Sequence, residues 1–299
     1  MSPIISVVLP AYNRADSIQA AAESVLHQSW QDFELLIVDD CSTDGTAETI
    51  KRLTDPRVHC LSTPHNMGPS GARNVGIKAA QGKWVAFQDS DDEWLPEKLT
   101  LQMARLETRG NVDVGVYCGM VIVGSPEGGT TFRTAARYHP DPKLESVEGD
   151  ITRTLLGNSL ISTQTLMARR DVLQELGGFD EALPALEDWE FVIRLSLKGS
   201  FAFVDSPLVL QNFSTNSISK DRWRRADARR QIVEKHAGLM ESDPTTLTRQ
   251  WRSIAGDERR LGHASLAREA LAHARTLRPY DFTLLGLSAL MAFKRGTKA

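Results

Sequence analysis

The chain has 299 residues, of which 41% are hydrophobic and 24% charged, and its formal net charge is −3. This length suits one large domain, or one domain with a smaller appendage, and the composition is that of an ordinary globular protein. The charge balance does not indicate a nucleic-acid partner. Cysteines occur only at positions 41, 60 and 118, without metal-site spacing, which favours a reducing compartment.

Membrane signals are weak. No run of 18 apolar residues occurs and the apolar start is too short for a signal peptide, so we expect a cytoplasmic protein without a membrane span. The apolar segment 282–293, which is followed by Lys294 and Arg295, and the arginine-rich stretch from residue 222 leave an alternative open. They could make peripheral contact with the inner face of the membrane, although a packed helix and a solvated face are more common.

The first ninety residues alternate between strand and helix patterns. Apolar, β-branched runs predict strands at residues 4–9, 33–38, 58–61 and 85–87. Helical periodicity fills the segments between them, with Asp16 and Asp44 placed to begin the first two helices. The order βαβαβαβ is typical of a Rossmann-like α/β fold, in which helices flank a mostly parallel sheet.

The later pattern is more mixed. It predicts a helix from Pro96 to about residue 109, a strand over 112–123, a loop at 125–131, a helix over 147–156 and a strand over 164–168. A strongly periodic helix over 186–197 opens with acids at its positive dipole end, and strands follow over 201–210. From residue 219 onward the chain reads as helices, and residues 261–279 resemble one helix of a tetratricopeptide-like hairpin.

Acidic residues follow two of the predicted strands. Asp39 and Asp40 end one strand, and Asp89, Asp91 and Asp92 follow another. Parallel strands open on the same edge of a sheet, where α/β folds place ligands, so we expect the two groups to be neighbours. Clustered carboxylates repel one another unless solvent or a cation neutralises them, and such oxygens suit magnesium or manganese. A solvated acidic turn, with Asp92 as a helix cap, is the alternative.

Five motifs resemble the inverting glycosyltransferases of family 2, which have the GT-A fold. In chain order they are V-V-L-P-A-Y-N-R at 7–14, F-E-L-L-I-V-D-D-C-S-T-D-G-T at 33–46, N-M-G-P-S-G-A-R-N-V-G-I at 66–77, F-Q-D-S-D-D-E-W at 87–94, and G-G-F-D-E with E-D-W-E-F-V-I-R-L between 177 and 195. The resemblance implies a GT-A domain at 1–219, with a nucleotide-binding half at 1–109 and an acceptor-binding half at 110–219. A helical C-terminal extension at 220–299 would follow.

The resemblance also implies roles for individual residues. Residues that would contact the nucleotide-sugar donor are Pro10, Ala11, Tyr12, Asn13, Asp40, Arg73, Asp89, Ser90 and Asp91. Among them, Asp40 would accept a hydrogen bond from the base, and Arg73 would brace the acids or approach the diphosphate. The residues that would hold a divalent cation, Mn or Mg, are Asp89, Asp91 and Asp92. Asp188 would be the catalytic base, with Glu187 beside it.

Chemistry supports these roles. Breaking a sugar–phosphate bond leaves negative charge on the departing diphosphate, which a cation can stabilise, and a carboxylate can take the proton of the attacking hydroxyl. We therefore expect transfer of a sugar, with inversion, from a nucleotide sugar to a saccharide or lipid-linked glycan acceptor. UDP is the expected nucleotide.

Two departures from the family pattern stand out. Cys41 replaces a common glycine, so the turn there must suit a side chain. Asn212 and Ser214 stand where the family often has Arg and His, which puts a diphosphate or metal contact from that loop in doubt.

An alternative is therefore a nucleotide-sugar-binding or assembly protein that lacks turnover. A phosphotransferase using Asp44 fits poorly because Ser42 stands where the nucleophilic aspartate is needed. Dinucleotide oxidoreduction is weaker still, since no Gly-rich turn follows the first strand.

Overall fold

The computed structural model describes residues 2–123, 137–141, 143–144, 146–212, 221–281 and 284. The chain divides into two compact units. The first contains residues 1–155, 159–181 and 187–217, and the second contains residues 156–158, 182–186 and 218–299. The predicted loop at 125–131 and most of the apolar segment 282–293 lie outside the described residues.

The first unit is built on a mixed sheet. Its described strands are β1 (Ile5–Ala11), β2 (Phe33–Asp39), β3 (Val58–Ser62), β4 (Trp84–Phe87), β5 (Glu93–Trp94), β6 (Gly115–Val123), β7 (Arg137–His139), β8 (Leu166–Arg169) and β9 (Phe201–Asn212). The strand order is β3-β2-β1-β4-β8-β6-β9-β5, with β7 paired to β6. Strands β3, β2, β1 and β4 run parallel, β8 is antiparallel to both β4 and β6, and β9 is parallel to β6. This arrangement confirms the predicted α/β class.

Helices follow the strands in the order that the sequence predicts. They are α1 (Ile18–Leu26), α2 (Thr46–Lys51), α3 (Gly68–Ala79), α4 (Lys98–Thr108), α5 (Thr152–Gly157), α6 (Arg170–Glu175), α7 (Glu187–Ser196), α8 (Arg222–Lys235), α9 (Ala237–Met240), α10 (Pro244–Arg260) and α11 (Ala264–Leu277). Within the described part of the chain, no helix is long and apolar enough to cross a membrane.

Strand β1 is the centre of the first unit. All seven of its residues are buried, because helices cover both faces of the parallel sheet. Helix α3 approaches it at Gly76, where an added Cβ would lie only 2.3 Å from Cγ1 of Val8. No side chain fits in that space, so the glycine permits α3 to lie directly against the strand.

Two short strands, β5 and β7, are absent from the sequence prediction, because segments of two or three residues show little periodicity. The helix predicted over 147–156 begins only at Thr152. Gly149 adopts a positive φ of 83° and pairs with Phe201 through two backbone hydrogen bonds of 2.8 and 2.9 Å. Pairing with β9 therefore replaces the first turns of that helix.

The second unit is helical. Helices α10 and α11 form a hairpin in which Trp251 stacks on His273, with ring centroids 4.4 Å apart. Asp221 begins α8 by accepting hydrogen bonds from the amides of Trp223 and Arg224, and Asp243 begins α10 in the same way through Thr246. The helical character predicted from residue 219 onward is found throughout residues 221–277.

Candidate active site

The acidic turn after β4 lies beside the N-terminal end of α7. Arg73 of α3 joins the two, because its Nη2 donates to Asp89 Oδ1 at 2.7 Å and its Nη1 donates to Glu187 Oε1 at 2.9 Å. Glu187 is 114 residues from Arg73 along the chain. The fold therefore brings the D-S-D-D motif, the A-R-N motif and the E-D-W motif to one place.

The guanidinium of Arg73 is almost fully enclosed. Its side chain is 6% exposed, and it lies over the ring of Phe179 with 5.5 Å between its Cζ and the ring centroid. Burial alone would lower the pKa of Arg73, but the charges of Asp89 and Glu187 outweigh that effect and raise it. Arg73 is a permanent cation whose two terminal nitrogens are both engaged by carboxylates.

Asp188 is the candidate base, at the second position of α7. Its Oδ1 accepts from the amide of Trp189 at 2.7 Å. Burial and the charge of Glu187 raise the pKa of Asp188 to about 7, although the Trp189 amide and Arg73 act in the opposite direction. A carboxylate with a pKa near neutrality is suited to accept a proton from a hydroxyl. The preceding Leu186 has a φ of 57°, a strained conformation for a bulky side chain.

The G-G-F-D segment supplies the Phe179 ring on which the Arg73 guanidinium lies. Asn74 holds it, because its Oδ1 accepts from the Phe179 amide at 2.7 Å and its Nδ2 donates to the Phe179 carbonyl at 3.0 Å. Phe179 packs on Phe191 of α7 with 4.1 Å between ring centroids, and on Phe87 of β4 edge to face. An aromatic cluster thus fixes β4, α3 and α7 around the acids.

Asp92, the third of the expected metal ligands, lies inside the acidic turn. It is 2% exposed, and its two oxygens accept from Gln164 Nε2 at 2.9 Å and from the Asn212 amide at 3.1 Å. Burial and the neighbouring charges of Asp89 and Asp91 raise its pKa, which favours the protonated form. Asp92 joins the acidic turn to the end of β9. Ser90, which is 8% exposed, also lies mostly inside the turn.

Asp40, the expected partner of the nucleotide base, lies where β2 meets the start of α3. The side chain is 2% exposed and accepts from Thr63 Oγ1 at 2.7 Å and from the amides of Met67 and Gly68, both at 2.8 Å. The hydrogen bond that Asp40 would accept from a base stays a prediction. Asp39, which is half-buried at the end of β2, lies at the same edge.

The P-A-Y-N-R segment divides between core and surface. Pro10 and Ala11 are buried as the last residues of β1, and their contact with the donor stays a prediction. Tyr12 is 45% exposed, and Asn13 has a φ of 52° with its Oδ1 accepting from the Thr43 amide at 2.8 Å. Only these two of the four expected pocket residues reach the surface.

Arg14 is a residue that sequence reasoning left without a role. Its Nη2 lies 3.7 Å from Asp91 Oδ2, and its side chain is 27% exposed. A basic residue directly after the β1 end, at the edge that collects the acids, was the available signal. Gln164 and Asn74 carried no comparable signal, because buried amides look like ordinary polar residues in a sequence.

The donor set for a divalent cation is limited. Within the described ranges, no group of three or more His, Cys, Asp and Glu side chains is placed to hold a metal ion. Asp89 is paired with Arg73, and Asp91 lies close to Arg14. Magnesium and manganese sites often use one or two protein carboxylates and take their remaining ligands from water and substrate phosphates. Asp91 and Asp89 would suit a cation of that kind, which would add positive charge beside a bound diphosphate.

Comparisons with known proteins identify the family of the chain. Residues 6–177 match the family described as Glycosyl transferase family 2. TuaG of Bacillus subtilis, a glycosyltransferase assigned to teichuronic acid biosynthesis, is 31% identical over 233 residues, which cover 75% of this chain and 84% of TuaG. WfaP of Escherichia coli, named UDP-Glc:alpha-D-GlcNAc-diphosphoundecaprenol beta-1,3-glucosyltransferase, is 40% identical over 105 residues. That match covers 35% of this chain and 42% of WfaP.

Solved structures share the fold. S. aureus TarS 1–349 in complex with UDP has a TM-score of 0.66 at 21% identity, covering 99% of this chain and 87% of that chain. The mannosyltransferase PcManGT from Pyrobaculum calidifontis, in complex with GDP-Man and Mn²⁺, has a TM-score of 0.54 at 20% identity. It covers 98% of this chain and 85% of that chain.

The sheet, the acids at its edge and the relatives define a glycosyltransferase with the GT-A fold, an enzyme that acts on nucleotide sugars. More particularly, the chain belongs to glycosyl transferase family 2. The family, fold and enzyme class expected from the sequence are confirmed. The named glycosyltransferases among its relatives favour an enzyme over a binding protein without turnover.

Proposed function

We propose that this enzyme transfers a sugar from a UDP-linked donor to a hydroxyl group of a saccharide or lipid-linked glycan precursor, with inversion at the anomeric carbon. The observation that supports it best is the Arg73 bridge, which holds Glu187, the neighbour of the candidate base, against Asp89 of the donor-binding turn. The UDP complex of TarS and the name of WfaP favour a UDP-linked donor, and WfaP also favours a lipid-linked acceptor.

In the proposed reaction, Asp188 accepts the proton of the acceptor hydroxyl. The hydroxyl oxygen attacks the anomeric carbon from the face opposite to the leaving group, and the bond between that carbon and the diphosphate oxygen breaks. The electron pair of this bond leaves with the nucleoside diphosphate. One displacement of this kind inverts the anomeric centre, and Glu187 serves as a positioning residue through Arg73.

Asp91 and Asp89 would hold the divalent cation, which supplies positive charge to the leaving diphosphate when bound. Arg73 has both terminal nitrogens engaged by acids, so Arg14 is the better candidate for direct contact with the diphosphate. We likewise propose that Asp40, at the end of β2, supplies the acidic contact to the base, with the half-buried Asp39 beside it. Residues 1–109 would bind the donor, and residues 110–219 the acceptor.

The test uses the full chain and a panel of UDP-, GDP- and dTDP-sugars with manganese, with release of the nucleoside diphosphate as the readout. Asp91→Asn and Asp188→Asn should each lower turnover by at least ~100-fold while the melting temperature stays near that of the wild type. Asp171→Asn is the matched control, because that carboxylate is 64% exposed and forms its ion pair with Arg169 instead of a site residue.

Undiminished turnover in both site variants would defeat the proposal. Nucleotide binding without any hydrolysis or transfer, across donors and acceptors, would instead favour the binding-protein alternative. Thermal shifts with free nucleoside diphosphates identify the base, since a ligand stabilises the protein in proportion to its occupancy of the folded state.

A further inference from the structure

The second unit contains a hollow that the transfer reaction does not use. It lies between α8 and α10 and has a volume of about 880 Å³. Its lining includes six arginines, which are Arg222, Arg225, Arg229, Arg249, Arg252 and Arg260. The acidic side chain in this lining is Asp257, whose Oδ1 pairs with Arg260 Nη1 at 2.9 Å. Positive charge therefore dominates the walls.

The arginines follow from helical spacing. On α8 they occupy positions i, i+3 and i+7, and on α10 they occupy positions i, i+3 and i+11, so each helix presents one basic stripe. Like charges at such spacings destabilise a helix by about 0.2–0.5 kcal/mol per pair. Two facing stripes concentrate this repulsion, and an anion between them would relieve it.

One arginine of the hollow, Arg229, is held in place by hydrogen bonds within the second unit. Arg229 donates from Nη1 to Oε1 of Gln250 at 2.8 Å, and Gln250 is buried and donates in turn to the carbonyl of Leu156 at 2.9 Å. Burial, together with the charge of Arg225, lowers the pKa of Arg229. A guanidinium held in this way is pre-organised, unlike a mobile surface arginine.

The floor of the hollow contains Gly256, in the interior of α10. A Cβ there would have only Arg260 Nη1 within 4 Å, at 3.9 Å, so packing does not require the glycine. Glycine inside a helix costs about 1 kcal/mol relative to alanine. A larger side chain at this position would therefore take up space in the hollow that Gly256 lines. Ser253, one turn away, adds a hydroxyl donor to the same lining.

We propose that this hollow is a second binding site, separate in its residues from the candidate active site, for the diphosphate group of an organic ligand. Guanidinium groups bind phosphate oxygens through paired hydrogen bonds, and several of them on two walls match a group that carries more than one negative charge. The volume exceeds what one phosphate fills and falls within the range of small-ligand pockets, about 300–1,000 Å³.

The diphosphate could be free in solution or attached to a lipid at a membrane surface, and two measurements separate these sources. Calorimetry with inorganic pyrophosphate at low ionic strength measures the soluble group. Flotation with phosphatidylcholine vesicles, with and without phosphatidylglycerol, measures attraction to an anionic surface. Binding of both, through the hollow, indicates a membrane-borne ligand, and binding of pyrophosphate alone indicates a free one.

The hollow variant is Arg222→Gln with Arg252→Gln, which removes one exposed charge from each helix. Its matched control is Arg259→Gln with Arg275→Gln, which changes the net charge equally at exposed positions outside the lining. We expect the hollow variant to weaken pyrophosphate binding about tenfold or more, equivalent to about 1.4 kcal/mol. The control should bind as the wild type does. The candidate active site is intact in all of these proteins, so the difference reports the hollow.

A second variant, Gly256→Leu, keeps every charge and fills the floor. It should also weaken pyrophosphate binding, whereas general attraction to a basic surface would be unchanged. The proposal is overturned if the wild type does not bind pyrophosphate, if hollow and control variants lose the same affinity, or if Gly256→Leu binds as the wild type does.

Discussion

Replacement of Arg73 by methionine tests whether the ion-pair bridge stabilises the site. Methionine keeps the apolar length of the side chain and removes the charge. Asp89 and Glu187 would each lose a hydrogen bond, of 2.7 and 2.9 Å. The aromatic surface of Phe179 below the guanidinium stays covered, so the change isolates the loss of charge pairing.

The size of the effect follows from burial. Removing one partner of a buried ion pair costs about 3–5 kcal/mol, because a charge is left without compensation. The side chains of Asp89 and Glu187 are 24% and 19% exposed and can recover some hydration, so we expect the lower end, about 3 kcal/mol. For a chain of this size about 2–3 °C accompany each kcal/mol, so Tm should fall by roughly 6–9 °C.

Arg105→Met is the matched control. Arg105 also binds a carboxylate with two hydrogen bonds, to Glu148 at 3.0 and 2.6 Å, but its side chain is 39% exposed. Glu148 keeps the Phe203 amide and the nearby Arg109 as partners. An exposed pair contributes about 0–1 kcal/mol, so Tm should fall by at most ~2–3 °C. Calorimetric melting curves measure both variants. Equal losses would refute the argument that burial of Arg73 sets the cost.

Three further predictions concern pH and backbone strain. Burial and the charge of Glu187 raise the pKa of Asp188 to about 7, and the base acts when it is deprotonated. The value of kcat/KM should therefore rise with pH through about 7 and then level off. A flat profile between about pH 5 and 9 would contradict this prediction. Burial lowers the pKa of Lys98 from 10.5 to about 8, so the unfolded chain binds more protons between these values. The free energy of unfolding of the wild type relative to Lys98→Met should therefore rise across that interval, and a constant difference in urea titrations would rule the effect out. Cys41 has a φ of 62°, a conformation that glycine adopts more easily. The substitution Cys41→Gly should therefore stabilise the protein by up to about 1 kcal/mol, although it removes the weak contact from Sγ of Cys41 to the Thr63 carbonyl. An unchanged or lower Tm would show that the turn is not strained.

The parallel half of the sheet was predictable because its strands are covered on both faces. Strands β1 and β2 are buried along nearly their whole lengths, and such strands appear in a sequence as unbroken apolar runs. Because β2 and β4 run in the same direction, Asp39 at the end of β2 and Asp89 just after β4 lie at the same edge of the sheet. By contrast, β5 spans only two residues, which is too short to produce a pattern.

Individual roles at the site were less predictable, because they depend on contacts between distant segments. Asp92 accepts hydrogen bonds from Gln164 and Asn212, which are 72 and 120 residues away along the chain. A local sequence pattern cannot predict partners at such distances. Asp39 and Asp40 are adjacent and chemically identical. Their burial differs because Asp40 meets the start of α3, a contact that depends on where that helix begins.

The missing side chain at Gly76 has a consequence for the chemistry one helical turn away. With Val8 only 2.3 Å from the place a Cβ would occupy, any larger residue would lift α3 off the strand, and Arg73 would move with it. An outward shift of one ångström would stretch two hydrogen bonds that start at 2.7 and 2.9 Å. The alignment of Asp89 and Glu187 thus depends on the absence of a side chain at Gly76, on the face of α3 that packs against β1.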